Sequence, residues 1–141
     1  MARIINTANP GKVRNQHRRT IAELLRQIML KRDLDQDTKD MAATMVLSLR
    51  AIAGTIEITC TAWEKRNYFL KADRFRLSWE WVSPVADELE GIIVGDSWEQ
   101  LPIALASLAP RFADIRIAKM TRPPSVWEGG YQELLRDNSA H

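Results

Sequence analysis

Residues 55–82, TIEITCTAWEKRNYFLKADRFRLSWEWV, admit two readings, and the choice between them decides the fold. Read as strands, Ile56, Ile58, Cys60 and Ala62 alternate with β-branched or polar neighbours, and Phe75, Leu77, Trp79 and Trp81 alternate in the same way. Gly54 then stands where a preceding helix would stop, and the result is an α+β domain with a β-hairpin in residues 55–82. Read as helix, Ala62 to Arg76 is rich in helix formers (Glu64, Lys65, Arg66, Leu70, Lys71, Ala72), and the residues between the two alternating runs lack the Gly or Pro of a hairpin loop. The helical reading is preferred. It places Tyr68, Phe69, Ala72, Phe75, Trp79 and Val82 on one side, and Leu70, Leu77 and Trp81 on the other. Two apolar sides need two covers: the domain's own core, and either a further helix of this chain or a second subunit.

Upstream, 100° steps place Met41, Met45, Leu49, Ile52, Ile56, Cys60 and Trp63 on one stripe, with Leu47, Ala51, Ile58 and Ala62 roughly opposite. Between Met41 and Ile56 the only charge is Arg50, so this helix is expected in the middle of a bundle. Asp35, Asp37 and Asp40 at its start suit the positive end of a helix. A further helix from about Val13 carries Ile21, Leu24, Leu25, Ile28 and Met29 on one face, with His17, Arg18, Arg19 and Arg26 beside it. Asn9-Pro10-Gly11 reads as a turn that sets off a short arm, residues 1–12, from a single domain, residues 13–141.

Downstream, Pro84 suits the first turn of a helix bearing Val85, Ala86, Leu89, Ile92 and Ile93, ended by Gly95-Asp96. Ser97 and Gln100 have capping-box spacing ahead of Leu101, Leu105 and Leu108, and Ser125 and Glu128 repeat it ahead of a last helix interrupted by Gly129-Gly130. Ile115 and Ile117 suit one short strand. The expected class is all-α, a single domain of four to six helices around a buried central one.

Charge is unevenly spread. Residues 1–32 hold eight basic side chains against the single acid Glu23, a balance of +7. The totals of 20 basic and 18 acidic residues leave 12 against 17 for residues 33–141, a balance of −5. A basic end on an acidic body implies an arm that binds an anionic partner or folds back on its own domain. Lys12, Arg14, Arg18, Arg19 and Arg26 are the candidate anion-binding residues, able to neutralise the phosphates of a nucleic acid or a ribosome. Reversing Arg18 and Arg19 tests the alternatives, because only a structural clasp would lose stability.

Few chemistries are supported. One Cys and two His, of which His141 is terminal, fall short of a zinc site. Cys60 lies on an apolar stripe and His17 in a basic helix, so a buried thiol and a solvated imidazole are expected rather than a catalytic pair. Asp87, Glu88 and Glu90 read as a solvated face, and Gly91 to Gly95 (GIIVG) lacks the Lys-Ser/Thr ending of a phosphate loop. The run from Trp63 to Trp81 interleaves aromatics with Lys65, Arg66, Lys71, Arg74 and Arg76; inward-facing core aromatics are preferred to a base-stacking surface. No apolar run is read as spanning a bilayer and the lone cysteine suits a reducing compartment, so a soluble cytoplasmic protein is expected.

The segments Asn9 to Lys12, Arg18 to Glu23, Ala62 to Arg66 and Lys71 to Arg76 resemble those of a family of small α-helical bacterial proteins of unestablished activity. The resemblance covers most of the chain. It implies a helical fold in the bacterial cytoplasm and carries over no activity, cofactor or site. The residues themselves favour a non-catalytic protein-binding or assembly protein, possessing neither cofactor nor metal. Its docking residues are Leu70, Leu77 and Trp81, its partner another protein or a second copy of itself. The alternative is a nucleic-acid- or ribosome-associated protein acting through the basic helix.

Overall fold

The computed structural model describes residues 9–139, which form one all-α domain of six α-helices: α1 (Pro10–Leu30), α2 (Gln36–Glu64), α3 (Phe69–Ser78), α4 (Val82–Val94), α5 (Leu101–Leu108) and α6 (Gly130–Ser139). Among the described residues there is no strand. The hairpin alternative for residues 55–82 is thereby excluded, and the short strand expected at Ile115 and Ile117 is instead irregular chain.

Helix α2 is the hub. It packs against α1, α3, α4 and α6, while α5 closes the bundle through α4 and the 3-10 turn Ala109–Phe112. Its expected stripe from Met41 to Cys60 is buried, and so are Ala42, Ala43 and Val46 on other sides. Ile21 and Leu24 of α1, Leu89 and Ile93 of α4, Leu108 of α5 and Leu134 of α6 fill the space around it. Each such side chain contributes roughly 1.5–3 kcal/mol. The expectation that no segment is apolar enough to span a bilayer needs correction. At 29 residues, α2 is long and apolar enough to do so by length and composition, although most of its apolar stretch is buried inside the bundle.

Helix ends follow local chemistry. The Asn9 side chain accepts from the Lys12 N–H and Pro10 occupies the first turn, so Asn9-Pro10-Gly11 starts α1 rather than separating it from an arm. Of the proposed arm, residues 1–8 lie outside the described residues. Asp35 caps α2 by accepting from Thr38 N–H at 2.8 Å. Its carboxyl is held near a pKa of about 2 by Lys31 and by the Thr38 donors. At the far end of α2, Tyr68 N–H bonds to the Trp63 carbonyl and Asn67 N–H to that of Glu64, with Asn67 left-handed (φ 65°). This Schellman turn breaks the helical run expected to continue across residue 67, and asparagine takes the place usually held by glycine. The same motif ends α4, with Asp96 rather than Gly95 left-handed (φ 56°).

Neither capping box forms as expected. Ser97 makes no side-chain cap; a 3-10 turn, Trp98–Gln100, leads into α5. Ser125 lies in another 3-10 turn, and α6 starts at Gly130, capped from a distance. Asp40 of α2 accepts from Gly129 N–H (3.3 Å) and Tyr131 N–H (3.0 Å), so one carboxylate ties the last helix to the hub. Gly129-Gly130 therefore begins α6 instead of interrupting it.

Candidate functional site

Three of the five candidate anion-binding residues are turned inward. Helix α1 runs antiparallel to α2, which brings Arg14 to Thr55 and Thr59 and His17 to Ser48. Arg14 donates to Thr55 Oγ1 at 3.1 Å and Thr59 Oγ1 at 2.8 Å, and its guanidinium lies 4.9 Å from the Phe75 ring centroid and 5.8 Å from that of Trp79. Burial lowers its pKa from the ordinary arginine value. Arg18 pairs with Asp114 at 2.7 Å and lies over Phe112, and its hydrogen bond, helped by its charge, holds the Asp114 carboxyl below the usual range.

Arg19 has the most buried partner. It donates to Glu23 Oε2 at 2.7 Å, and that carboxylate, with 0% of its surface exposed, also accepts from Thr121 N–H (2.6 Å), Thr121 Oγ1 and Arg122 N–H (3.0 Å). Burial alone would raise the Glu23 pKa; the donors from Thr121, Arg19 and Arg122 outweigh it and pull it down to about 2. The single acid of the basic segment thus latches the chain entering α6 onto α1. Among the described residues only Lys12 and Arg26 of the five cations are exposed and without an ion pair. The double reversal Arg18→Glu/Arg19→Glu is accordingly expected to lower the melting temperature by roughly 5–10 °C, because it sets a carboxylate against buried Glu23 and another against Asp114. An unchanged thermal midpoint in circular dichroism would show that these contacts carry no weight.

The interleaved aromatics form one continuous row. Trp63 meets Phe75 edge-on at 5.1 Å, Phe75 meets Trp79 at 6.2 Å, Trp79 stacks on Trp81 at 6.1 Å, and Trp81 meets Phe112 at 6.0 Å. Cations cover it: Lys71 over Trp63, Arg14 over Phe75 and Trp79, Arg111 over Trp81, and Arg18 over Phe112. The row and its cations join α1, α2, α3 and the turn after α5, which accounts for both halves of the sequence pattern.

This row requires a correction. Trp81 is not opposite the core with Leu70 and Leu77. Helix α3 ends at Ser78, so 100° steps do not extend to residue 81, and Trp81 at the start of α4 folds against Trp79 and Phe112. Leu70 and Leu77 do share a face. Seven residues apart, they lie about 10 Å from each other along the axis and are 62% and 63% exposed. Their side of α3 is opposite Ala72, the one α3 residue sealed against α2. Tyr68 and Phe69, expected on the core side, are also exposed, because Tyr68 precedes the helix in a non-helical conformation. An open groove of about 860 Å³ runs beside this face, lined by Trp63, Asn67, Tyr68, Phe69, Leu70, Lys71, Arg74, Phe75 and Ser78.

A second apolar depression, about 540 Å³, lies between the end of α1 and α5, among Ile28, Met29, Leu34, Trp98, Leu101 and Leu105. Its charged rim holds Lys31, Arg32, Asp33 and Glu99, two of each sign. It was missed in the sequence because Met29 reads as part of the α1 core stripe.

Titratable groups elsewhere are committed to structure. Cys60 is buried, its thiol donates to the Ala72 carbonyl at 3.4 Å, and burial pushes its pKa up, as an inert thiol requires. His17 is half-buried beside Ser48 rather than solvated. Asp87 and Glu90 hold Arg50, the one charge between Met41 and Ile56, so that acidic face is partly an inter-helix bridge. Arg76 joins α3 to α2 through Glu64 and Glu57, whose hydrogen bonds raise its pKa. Among the described residues no group of three or more His, Cys, Asp or Glu is placed to hold a metal. No family model, curated protein or solved structure matches the chain.

Proposed function

We propose that the protein is a non-catalytic protein-binding or assembly module whose docking face is the outward side of α3. The observation that carries this reading is the exposure of Leu70 and Leu77 on one face, with Tyr68 and Phe69 beside them. Two leucines one heptad apart on a helix that buries little else supply the apolar centre of a helix-in-groove or helix-on-helix contact. The basic helix has a narrower part than its charge suggests, since Arg14, Arg18 and Arg19 stabilise the domain from within. The same commitment weakens the nucleic-acid reading, which needs those cations on phosphate. A cytoplasmic setting belongs to this proposal.

A photo-crosslinking residue at Ser78, on the rim of the groove, tests the reading in the native cell. One discrete protein adduct is expected, resistant to nuclease, lost in Leu70→Asp/Leu77→Asp and retained in the control Glu88→Arg. The double aspartate variant should fold like the parent, within about 0.5 kcal/mol, because both leucines are exposed. Adducts that are insensitive to the aspartates, or that disappear with nuclease, would overturn the reading.

A further inference from the structure

The α3 face carries a charge pattern that narrows its partner. Lys65 and Arg66 in the turn before α3, and Lys71 and Arg74 on it, are exposed, and among the described residues none of them makes an ion pair. The nearby acids Glu57, Glu64 and Asp73 are directed to Arg76. At 100° per residue Arg74 lies within about 60° of both leucines, so uncompensated positive charge borders the apolar centre on one side. From these contacts we infer that α3 docks an acidic amphipathic helix, its apolar residues on Leu70 and Leu77 and its carboxylates facing Lys71 and Arg74, with Lys65 and Arg66 at the N-terminal end of the contact. This inference rests on α3 being a protein-docking face.

Charge and apolar surface together argue against the other occupants. A second copy meeting this face through its own α3 would bring the same patch against itself, where Glu57, Glu64 and Asp73 are already committed to Arg76 and leave little for the cations to pair with. The chain's own residues 1–8 contain Arg3 and no acid, so they offer nothing for the cations to pair with. A single nucleic-acid strand matches the charge but not the leucines. Of the aromatics it would stack on, Trp63 is covered by Lys71, 4.4 Å from its centroid, and Phe75 by Arg14, which leaves Tyr68 and Phe69 exposed.

The test uses the full chain and a labelled model peptide with leucines at helical i, i+4 and i+7 spacing and glutamates between them, read by fluorescence anisotropy. Three comparison probes are a peptide of the same composition with its leucines dispersed around the helix, one with lysines replacing the glutamates, and an oligothymidylate. The glutamate peptide should bind best and weaken with salt. Its affinity should fall roughly tenfold or more in Leu70→Asp/Leu77→Asp and by a similar factor in Lys71→Glu/Arg74→Glu. The lysine peptide should regain binding to the charge-reversed variant. Equal binding of the dispersed peptide would show charge attraction alone and overturn the inference. Preferential binding of the oligothymidylate would assign the face to nucleic acid. If no peptide binds while the Ser78 adduct still depends on Leu70 and Leu77, the partner's chemistry is wrong and the docking face stands; if both fail, the docking face itself is wrong.

Discussion

Glu23→Gln is expected to cost about 3 kcal/mol at neutral pH, lowering the urea midpoint without changing the slope of the transition. An amide fills the same space, but its NH2 group would meet donors, whereas the carboxylate accepts from Arg19, both donors of Thr121 and the Arg122 N–H. The pH dependence identifies the cause. The Glu23 pKa lies near 2 in the folded protein against an ordinary 4.5, so its contribution is complete above about pH 4.5 and disappears as pH falls toward 2. A displacement of that size corresponds to about 3 kcal/mol, in agreement with the expected loss. Asp35 and Asp114 also have lowered pKa values and make the parent acid-sensitive on their own account. The difference between parent and variant is therefore the diagnostic quantity: it should shrink toward zero between pH 4.5 and 2. A gap that persists at pH 2 would place the effect in packing rather than in charge.

Gly130→Ala is expected to cost roughly 2–4 kcal/mol, a large effect for a single methyl group. A Cβ at residue 130 would lie 2.5 Å from Thr44 Oγ1 and 2.7 Å from the Asp40 carbonyl oxygen, the second of which belongs to the backbone of α2 and cannot turn aside. Pushing α6 outward would also stretch the bonds from Gly129 and Tyr131 to Asp40. Gly54→Ala is the control of opposite sign. It lies exposed inside α2 with nothing within 4 Å of its would-be Cβ, so alanine there should stabilise by about 0.5–1 kcal/mol. Thermal melts of the two variants should therefore move in opposite directions. Equal midpoints would mean that α6 does not depend on close approach to α2.

Long-period apolar patterns were legible before any coordinates. The stripe from Met41 to Cys60 marked the buried hub, and the near absence of charge between Met41 and Ile56 marked its central position. What the pattern could not reveal was set by contacts far apart in sequence. Asp40 reads as one of three acids at a helix start, yet it caps a helix about 90 residues later. Ser125 and Glu128 have the spacing of a capping box and make none, because Ser125 lies inside a 3-10 turn and the Glu128 N–H is bonded to the Pro124 carbonyl. Asn67 marks the other limit. The stretch from Ala62 to Val82 lacks Gly and Pro and reads as continuous helix, but asparagine tolerates the left-handed conformation well enough to break it. Of the candidate site, Leu70 and Leu77 were legible because spacing alone puts them on one side. Trp81 was misplaced by extending the helical period past its end; Arg14 and Arg18 read as free charge because their partners, Thr55, Thr59 and Asp114, are far off in sequence, and the i,i+4 spacing of Arg19 and Glu23 gives no sign that Glu23 is buried.

The hub is made early and covered late. Of the segments that cover α2, α1 precedes it, α3 and α4 follow directly, and the one that Glu23 and Asp40 fasten, residues 121–131, comes well after. Until that segment is in place, one side of a long apolar helix lies open, and open apolar surface of this kind promotes association between unfinished molecules.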